Sequence, residues 1–335
     1  MSSTAPLSVP DRSRGLYEAK ARALVREHFG VSVADTASMP GGAALYSSVG
    51  QGTVWIYVTD AARSLGRAMA LAVSRGCATL HLFVDTGGGT TARRAALVRP
   101  APSVWRVVER SLIPETPTPR ADAAAPTDAD ALVAMLRDAG LEVVVEHGVI
   151  SGEIRGLSVA TVVAGADGHS RLAVGVGRID QEATDLLHGD LPLHETLANA
   201  IEEVRVHRHH YAKPHPVNRL ARERWLRSQL IARPSIVGLN DIVSIAPAEP
   251  RANLRDPVPA AAIGHDGDGA MVLVVCSVGI DLELVPITAD LIDREAPDRV
   301  VLAMPARDHA PIQHKLAAHL TVPVEFVAVE GEWPS

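Results

Sequence analysis

The chain has 335 residues, of which 47% are hydrophobic and 3% aromatic, and its net charge is −7. This length and apolar content are typical of a globular protein of about two domains. Two cysteines exclude a disulfide scaffold, and the polar N-terminus has no signal-peptide pattern. No run of about 18 apolar residues could cross a membrane. The sequence therefore predicts a cytoplasmic protein, and its scarcity of lysine beside arginine is typical of a bacterial GC-rich genome.

The N-terminal half begins with a polar stretch, residues 1–14, that is predicted to be a disordered arm. Apolar positions at helical spacing, followed by Gly30, predict a helix over 16–29. The patterns that follow predict strands at 43–48 and 53–59, a helix at 61–75 and a buried strand at 79–84. We expect an N-terminal α/β domain over 15–112.

A stretch rich in Pro, Ala and Asp, residues 113–129, is predicted to be a linker. Residues 130–330 are predicted to form a C-terminal α/β domain. Its predicted helices are 130–139, 180–187, 193–208, 218–231, 287–294 and 309–320, and its predicted strands are 141–147, 157–164, 171–176, 270–277, 282–285, 299–304 and 323–329. Strands that alternate with helices favour parallel pairing. The predicted fold class is α/β, with two α/β halves that contain mixed, partly parallel sheets.

The two halves share a faint internal similarity. Residues 53–85 and 299–330 each follow the order strand, helix, strand, with similar spacing but low identity. Either the halves are copies of one core, or the similarity is only that of any two strand–helix–strand units.

The order helix, strand, strand, helix, strand over 16–84 resembles part of the restriction-endonuclease-like core. That family places an acid on one strand and Glu-x-Lys on the next to hold a divalent metal ion. Here the second strand reads Trp55-Ile56-Tyr57-Val58, and in the other half Asp281-Leu282-Glu283 is followed by Val285 where the lysine would stand. The resemblance implies a duplicated core that retains a binding role more readily than cleavage.

The strongest charge asymmetry lies in residues 201–227, which carry +4 while the rest of the chain carries −11. Guanidinium and ammonium groups bind phosphate oxygens, and aromatic rings can stack on bases. The predicted ligand-binding residues are Arg205, Arg208, Lys213, Arg219, Arg222, Arg224, Arg227, Tyr211 and Trp225. The alternative is a pair of solvated helices whose arginines bridge to carboxylates.

The same segment contains four histidines, His207, His209, His210 and His215. They lack the His-Glu-x-x-His spacing and the carboxylate or Cys neighbours of a typical metal site. No metal site is predicted, and no motif specifies a cofactor.

A second candidate site lies at the carboxyl ends of the predicted strands 270–277 and 299–304. If these strands are parallel, Asp281, Asp308 and His309 lie at the same edge, where open α/β sheets bind ligands. A histidine beside two acids suits general acid–base catalysis or metal-assisted hydrolysis. Alternatively, Asp308 simply caps the helix that follows.

A third candidate is the glycine-rich stretch Asp85-Thr86-Gly87-Gly88-Gly89, with Arg93 and Arg94 after it. Backbone N–H groups of such a loop can bind phosphate, but no complete phosphate-loop motif is present. Three functions thus remain open: binding of a phosphate-bearing partner such as a nucleic acid, hydrolysis at the C-terminal sheet edge, and a non-catalytic scaffold or regulatory role.

Overall fold

The computed structural model describes residues 9–47, 52–121, 123–188, 191–209 and 212–330. The chain divides into two compact units. The first comprises the chain up to Arg120 together with Leu282–Arg294 and Ala310–Thr321. The second comprises Ala121–Asp281, Glu295–His309 and the chain from Val322 onward. The predicted division at 113–129 is therefore incomplete, because two later segments return to the first unit.

The first unit contains a six-stranded mixed sheet in the order β1-β2-β3-β4-β5-β6. Its strands are β1 (Thr36–Met39), β2 (Gly42–Ser47), β3 (Thr53–Asp60), β4 (Thr79–Thr86), β5 (Ser103–Val108) and β6 (Ser111–Pro114). Its helices are α1 (Val9–Phe29), α2 (Leu65–Ser74) and α3 (Gly88–Ala95), with α8 (Leu284–Glu295, up to Arg294) and α9 (Pro311–Ala317) from later in the chain. Strands β3, β4 and β5 run parallel, and the other neighbours pair antiparallel.

Helix α1 covers one face of this sheet because its apolar residues recur at helical spacing. Ala21, Leu24 and Val25 pack on alternate strand residues such as Leu45 and Phe83. Alternation along a strand directs every second side chain to the same face. The predicted disordered arm is wrong over residues 9–14, which belong to α1, and its first eight residues lie outside the described residues.

The second unit contains an antiparallel sheet in the order β10-β9-β8-β7. The strands are β7 (Glu142–Glu146), β8 (Val149–Ile154), β9 (Leu157–Ala164) and β10 (Ser170–Val174), and the helices are α4 (Asp130–Asp138), α5 (Arg178–His188) and α6 (Leu193–Arg205). The turns His147-Gly148 and Arg155-Gly156 have positive φ at both positions, as two-residue hairpins of the right twist require. The apolar face of this sheet packs with Leu136 of α4 and Leu197 and Ile201 of α6.

A five-stranded sheet in the order β11-β12-β13-β14-β15 completes the second unit. Its strands are β11 (Asp241–Ile245), β12 (Ala260–His265), β13 (Met271–Cys276), β14 (Arg299–Met304) and β15 (Val324–Ala328). Helix α7 (Arg222–Ala232) packs Leu226 and Leu230 onto it. The short strand predicted at 282–285 is wrong, because α8 begins at Leu284.

The six-stranded and five-stranded sheets share a topology. In each of them the order along the chain is a helix, three antiparallel strands, a helix, a parallel strand, a helix and another parallel strand. By this topology β3 corresponds to β13, whereas the sequence similarity between 53–85 and 299–330 had paired β3 with β14. The α/β class with mixed, partly parallel sheets is confirmed, and duplication of one core stays a prediction. No helix among the described residues has the length and apolarity needed to span a bilayer.

Candidate functional site

Two arginines of α7 lie in a buried ionic cluster with two glutamates of the antiparallel sheet. Arg227 Nη1 donates to Glu146 Oε1 at 2.6 Å, and Arg224 Nη1 donates to Glu153 Oε1 at 3.1 Å. Arg224 also donates to Glu146. The Arg227 and Glu153 side chains are 2% and 1% exposed. Arg224 and Arg227 therefore hold α7 against the sheet, and the prediction that they form part of an exposed ligand surface is wrong for them.

The pKa values of the two glutamates in this cluster are shifted in opposite directions. Burial tends to raise the pKa of Glu146, but the charges of Arg227 and Arg224 outweigh it, and the pKa is lowered. Burial raises the pKa of Glu153, which the two arginines offset only in part. Charges taken out of water are tolerated only with such partners. Glu146 lies in the strand predicted at 141–147, but no local sequence pattern pairs either glutamate with α7, since the partners are about 70–80 residues apart.

Arg208 has an internal structural role. Its guanidinium donates to the carbonyl oxygens of Arg155 at 3.0 Å and Leu220 at 3.1 Å, with two longer bonds to Val217 and Ala221. It also lies over the ring of Trp225, 4.5 Å from the centroid. Burial lowers its pKa to about 9.

Arg208 and Trp225 are each 1% exposed, which overturns their predicted role in ligand binding. Their contacts instead fix the loop between α6 and α7. Because Arg208 donates to carbonyls at both Val217 and Leu220, it ties the start of that loop to its end.

A stacked pair of imidazoles also closes this loop. The rings of His207 and His215 lie 3.7 Å apart at an angle of 5°. His215 Nδ1 accepts the backbone N–H of Val217 at 3.4 Å, which places it at the N-cap of a 3₁₀ turn. Tyr211, one of the predicted ligand-binding residues, and His210 of the histidine group lie outside the described residues.

The remaining basic residues of the segment reach solvent. Arg205, Lys213 and Arg219 are exposed, and Arg222 is half-buried. None of these four takes part in an ion pair with another described residue. Residues 205–222 contain no Asp or Glu at all. We refer to the side chains of Arg205, Lys213, Arg219 and Arg222 as the cationic loop surface.

The carboxyl ends of β13 and β14 meet as the sequence predicted, because the two strands are parallel neighbours. Asp308, which is buried, accepts the backbone N–H of Gly279 at 2.7 Å and lies 3.8 Å from Arg307 Nε. His309 packs edge-on against Phe326, with centroids 6.1 Å apart, and Asp281 is half-buried in the neighbouring loop. Asp308 therefore ties two loops together, and the helix cap belongs to Ala310 instead.

Glu283, two residues after Asp281, also has a structural partner. Glu283 is buried, and its Oε1 accepts the backbone N–H of Gly66 at 2.8 Å. Ser64, at the N-cap of α2, makes no capping bond with its side chain. A carboxylate at a helix N-terminus satisfies a free donor and complements the helix dipole. Glu283 thus replaces the missing cap.

Residues later in the chain pack against the glycine-rich stretch. A Cβ on Gly89 would lie 1.9 Å from Thr118 Oγ1, and one on Gly88 would lie 2.7 Å from a Glu115 oxygen. The glycines allow this close approach, so the stretch is not an open phosphate loop.

The arginines that follow the glycines bind a carboxylate of their own unit. Arg93 makes two bonds of 2.9 Å to Asp290, which is 1% exposed. Arg94 and Arg120 bind the same carboxylate. Burial tends to raise the pKa of Asp290, but these three guanidinium groups lower it.

One polar cluster has no counterpart in the sequence patterns. Lys20 of α1 donates to Asp85 at 2.9 Å and to Tyr57 at 3.0 Å, and Tyr57 donates to Asp85 at 2.6 Å. Burial lowers the pKa of Lys20 less than these two partners raise it. Lys20 lies on α1, Tyr57 on β3 and Asp85 on β4, so the three residues are far apart in the chain and no local pattern predicts the cluster. The groups satisfy one another and tie α1 to the sheet.

Among the described residues, no group of three or more His, Cys, Asp or Glu side chains is placed to hold a metal ion. Of the predicted ligand-binding residues that the structure describes, the four of the cationic loop surface are the ones that are not bonded inside the fold. Comparisons with protein-family models, curated proteins and solved structures find no significant match to this chain.

Proposed function

We propose that this protein binds a phosphate-bearing polyanion, with nucleic acid as the class to test, through the cationic loop surface. One observation supports the proposal above the others. Residues 205–222 contain no acid, and the four basic side chains of that surface are not ion-paired to described residues. Everywhere else in the segment, arginines are bonded inside the fold.

The anchoring of the loop favours binding. Arg208 and the stacked histidines tie residues 207–208 to residues 215–220, so fewer degrees of freedom are lost there when a ligand binds. The net charge of −7 opposes binding of a long polyanion to the rest of the surface. The proposal therefore predicts a small footprint of about four phosphates, one for each cation.

The test is a titration of a fluorescent single-stranded DNA and a duplex at several salt concentrations. Four phosphate contacts predict a slope of log K against log salt of about −3 to −4. The triple variant Lys213→Gln, Arg219→Gln, Arg222→Gln should lower this slope to about −1.

A matched control removes the same charge from exposed arginines outside the loop, in Arg26→Gln, Arg110→Gln, Arg137→Gln. It should retain most of the salt dependence. If neither DNA binds at low salt, or if both triple variants weaken binding equally, the surface is not the binding site.

A further inference from the structure

A groove of about 790 Å³ lies between α4 and α6 in the second unit. Both helices contribute residues that are three or four positions apart, so that one stripe of each helix faces the groove. From α4 these include Ala131, Ala134 and Met135, and from α6 they include Leu197 and Ile201. The groove is therefore lined by two complete helical stripes.

The floor of the groove is apolar, and the residues at its rim have small side chains. Leu197 and Ile201 are buried, whereas Ala131, Ala134 and Ala198 are exposed. Alanine at the rim lets another backbone come close, and the apolar floor gives side chains of that backbone a place to be buried. An apolar stripe on a partner helix, with residues at i, i+3, i+4 and i+7, would match this spacing.

One end of the groove is electronegative. Asp138 and Glu202 line it there, opposed by the single guanidinium of Arg205. The last residues of α4 and α6 both line this end, and the side chain of Arg205 extends to the chain just after α4, with Nη2 4.0 Å from where a Cβ on Gly140 would be. Helix C-termini carry partial negative charge. Two carboxylates and two helix ends therefore outweigh one arginine, and this end favours a cation.

We propose that this groove binds a short amphipathic helix of a partner protein, with its apolar face on the alanine rim and Lys or Arg beside Asp138 and Glu202. The charge pattern distinguishes this occupant from an acyl chain, which carries no positive charge to bind at the electronegative end. The inference does not rest on polyanion binding, and its test leaves Arg205 unchanged.

The probe is a fluorescein-labelled synthetic helix of about 12 residues, which at 1.5 Å per residue exceeds the length of α4. It carries Leu at i, i+3, i+4 and i+7 and two lysines at one end. A second peptide replaces the lysines with glutamates, and a third replaces the leucines with serines. Fluorescence anisotropy with the full chain should show at least fivefold tighter binding of the lysine peptide than of either other peptide.

Two variants place a charge on the rim, Ala134→Glu and Ala198→Glu, and each should weaken binding of the lysine peptide at least tenfold. Asn199→Glu is the matched control, since it adds the same charge at an exposed position of α6 outside the lining. A double variant, Asp138→Asn, Glu202→Gln, should abolish the preference for lysine over glutamate while retaining binding to the apolar stripe.

Circular dichroism confirms that each variant is folded before it is titrated. Equal affinity for all three peptides, or equal effects of Ala198→Glu and Asn199→Glu, would overturn the proposal. Sedimentation of the protein alone provides a further decisive result, because a dimer that Ala198→Glu dissociates would identify the occupant as a second copy of this chain.

Discussion

Replacing Arg227 by methionine tests whether the arginines of α7 are structural. Methionine keeps the length and apolar contacts of the side chain but leaves Arg224 as the sole arginine facing both Glu146 and Glu153. Since Arg227 is 2% exposed and Glu153 is 1% exposed, water cannot replace the lost bonds. Removing one partner of a buried pair costs about 3–5 kcal/mol of unfolding free energy.

The comparison is an exposed pair in the same unit. Arg178 and Glu182 are 87% and 66% exposed at i, i+4. Arg178→Gln should therefore cost no more than about 0.5 kcal/mol. The double variant Arg227→Met, Glu153→Gln should recover most of the loss, because it removes the buried carboxylate whose pKa burial already raises.

Urea unfolding followed by circular dichroism and tryptophan fluorescence measures these differences. Trp225, which is buried in the same helix, is one of the four tryptophans that contribute to the fluorescence signal. DNA binding measured under folding conditions should be unchanged by Arg227→Met. If this variant is no less stable than Arg178→Gln, the cluster is not what holds α7 in place, and the assignment of Arg227 to the interior fails.

The remaining predictions concern the first unit. Asp290→Asn should lower stability at pH 7 by about 3 kcal/mol or more. The pKa of Asp290 in the folded protein lies below its value in the unfolded chain. The stability that its carboxylate contributes is therefore present above about pH 4 and is lost as the pH falls through the folded pKa. The urea midpoints of the wild-type protein and of Asp290→Asn should converge in acid. Gly66→Ala should lower the thermal midpoint, because its Cβ would lie 1.9 Å from the Leu282 carbonyl oxygen. Gly15→Ala, in an open helical position, should raise stability by about 0.5–1 kcal/mol, and a stabilising Gly66→Ala would contradict the close contact.

Elements with strong local patterns were predictable from the sequence. Strand β14 contains a continuous apolar run that follows Asp298-Arg299 and ends before Pro305, and its predicted bounds agree with the structure. Helix α4 ends before Gly140, as its cap signal indicates. Strand β12 was missed because its alanines carry little strand preference, and its pairing with β11 and β13 is what defines it.

The candidate site was harder to predict because charge counting does not reveal burial. Arg205 and Arg208 are three residues apart in the chain, yet one reaches solvent and the other binds four carbonyl groups. The partners of Arg224 and Arg227 lie about 70–80 residues earlier, on strands. Long-range pairing of this kind leaves no local trace.

The discontinuity of the first unit affects how the chain can fold during synthesis. The carboxylates of Glu283 and Asp290, which serve α2 and the arginines of α3, are translated more than 150 residues after those helices. N-terminal domains commonly complete folding while the ribosome is still elongating the chain. Here three guanidinium groups would await their counter-ion until α8 emerges, so a nascent chain stalled before residue 282 should remain protease-sensitive at its N-terminal sheet.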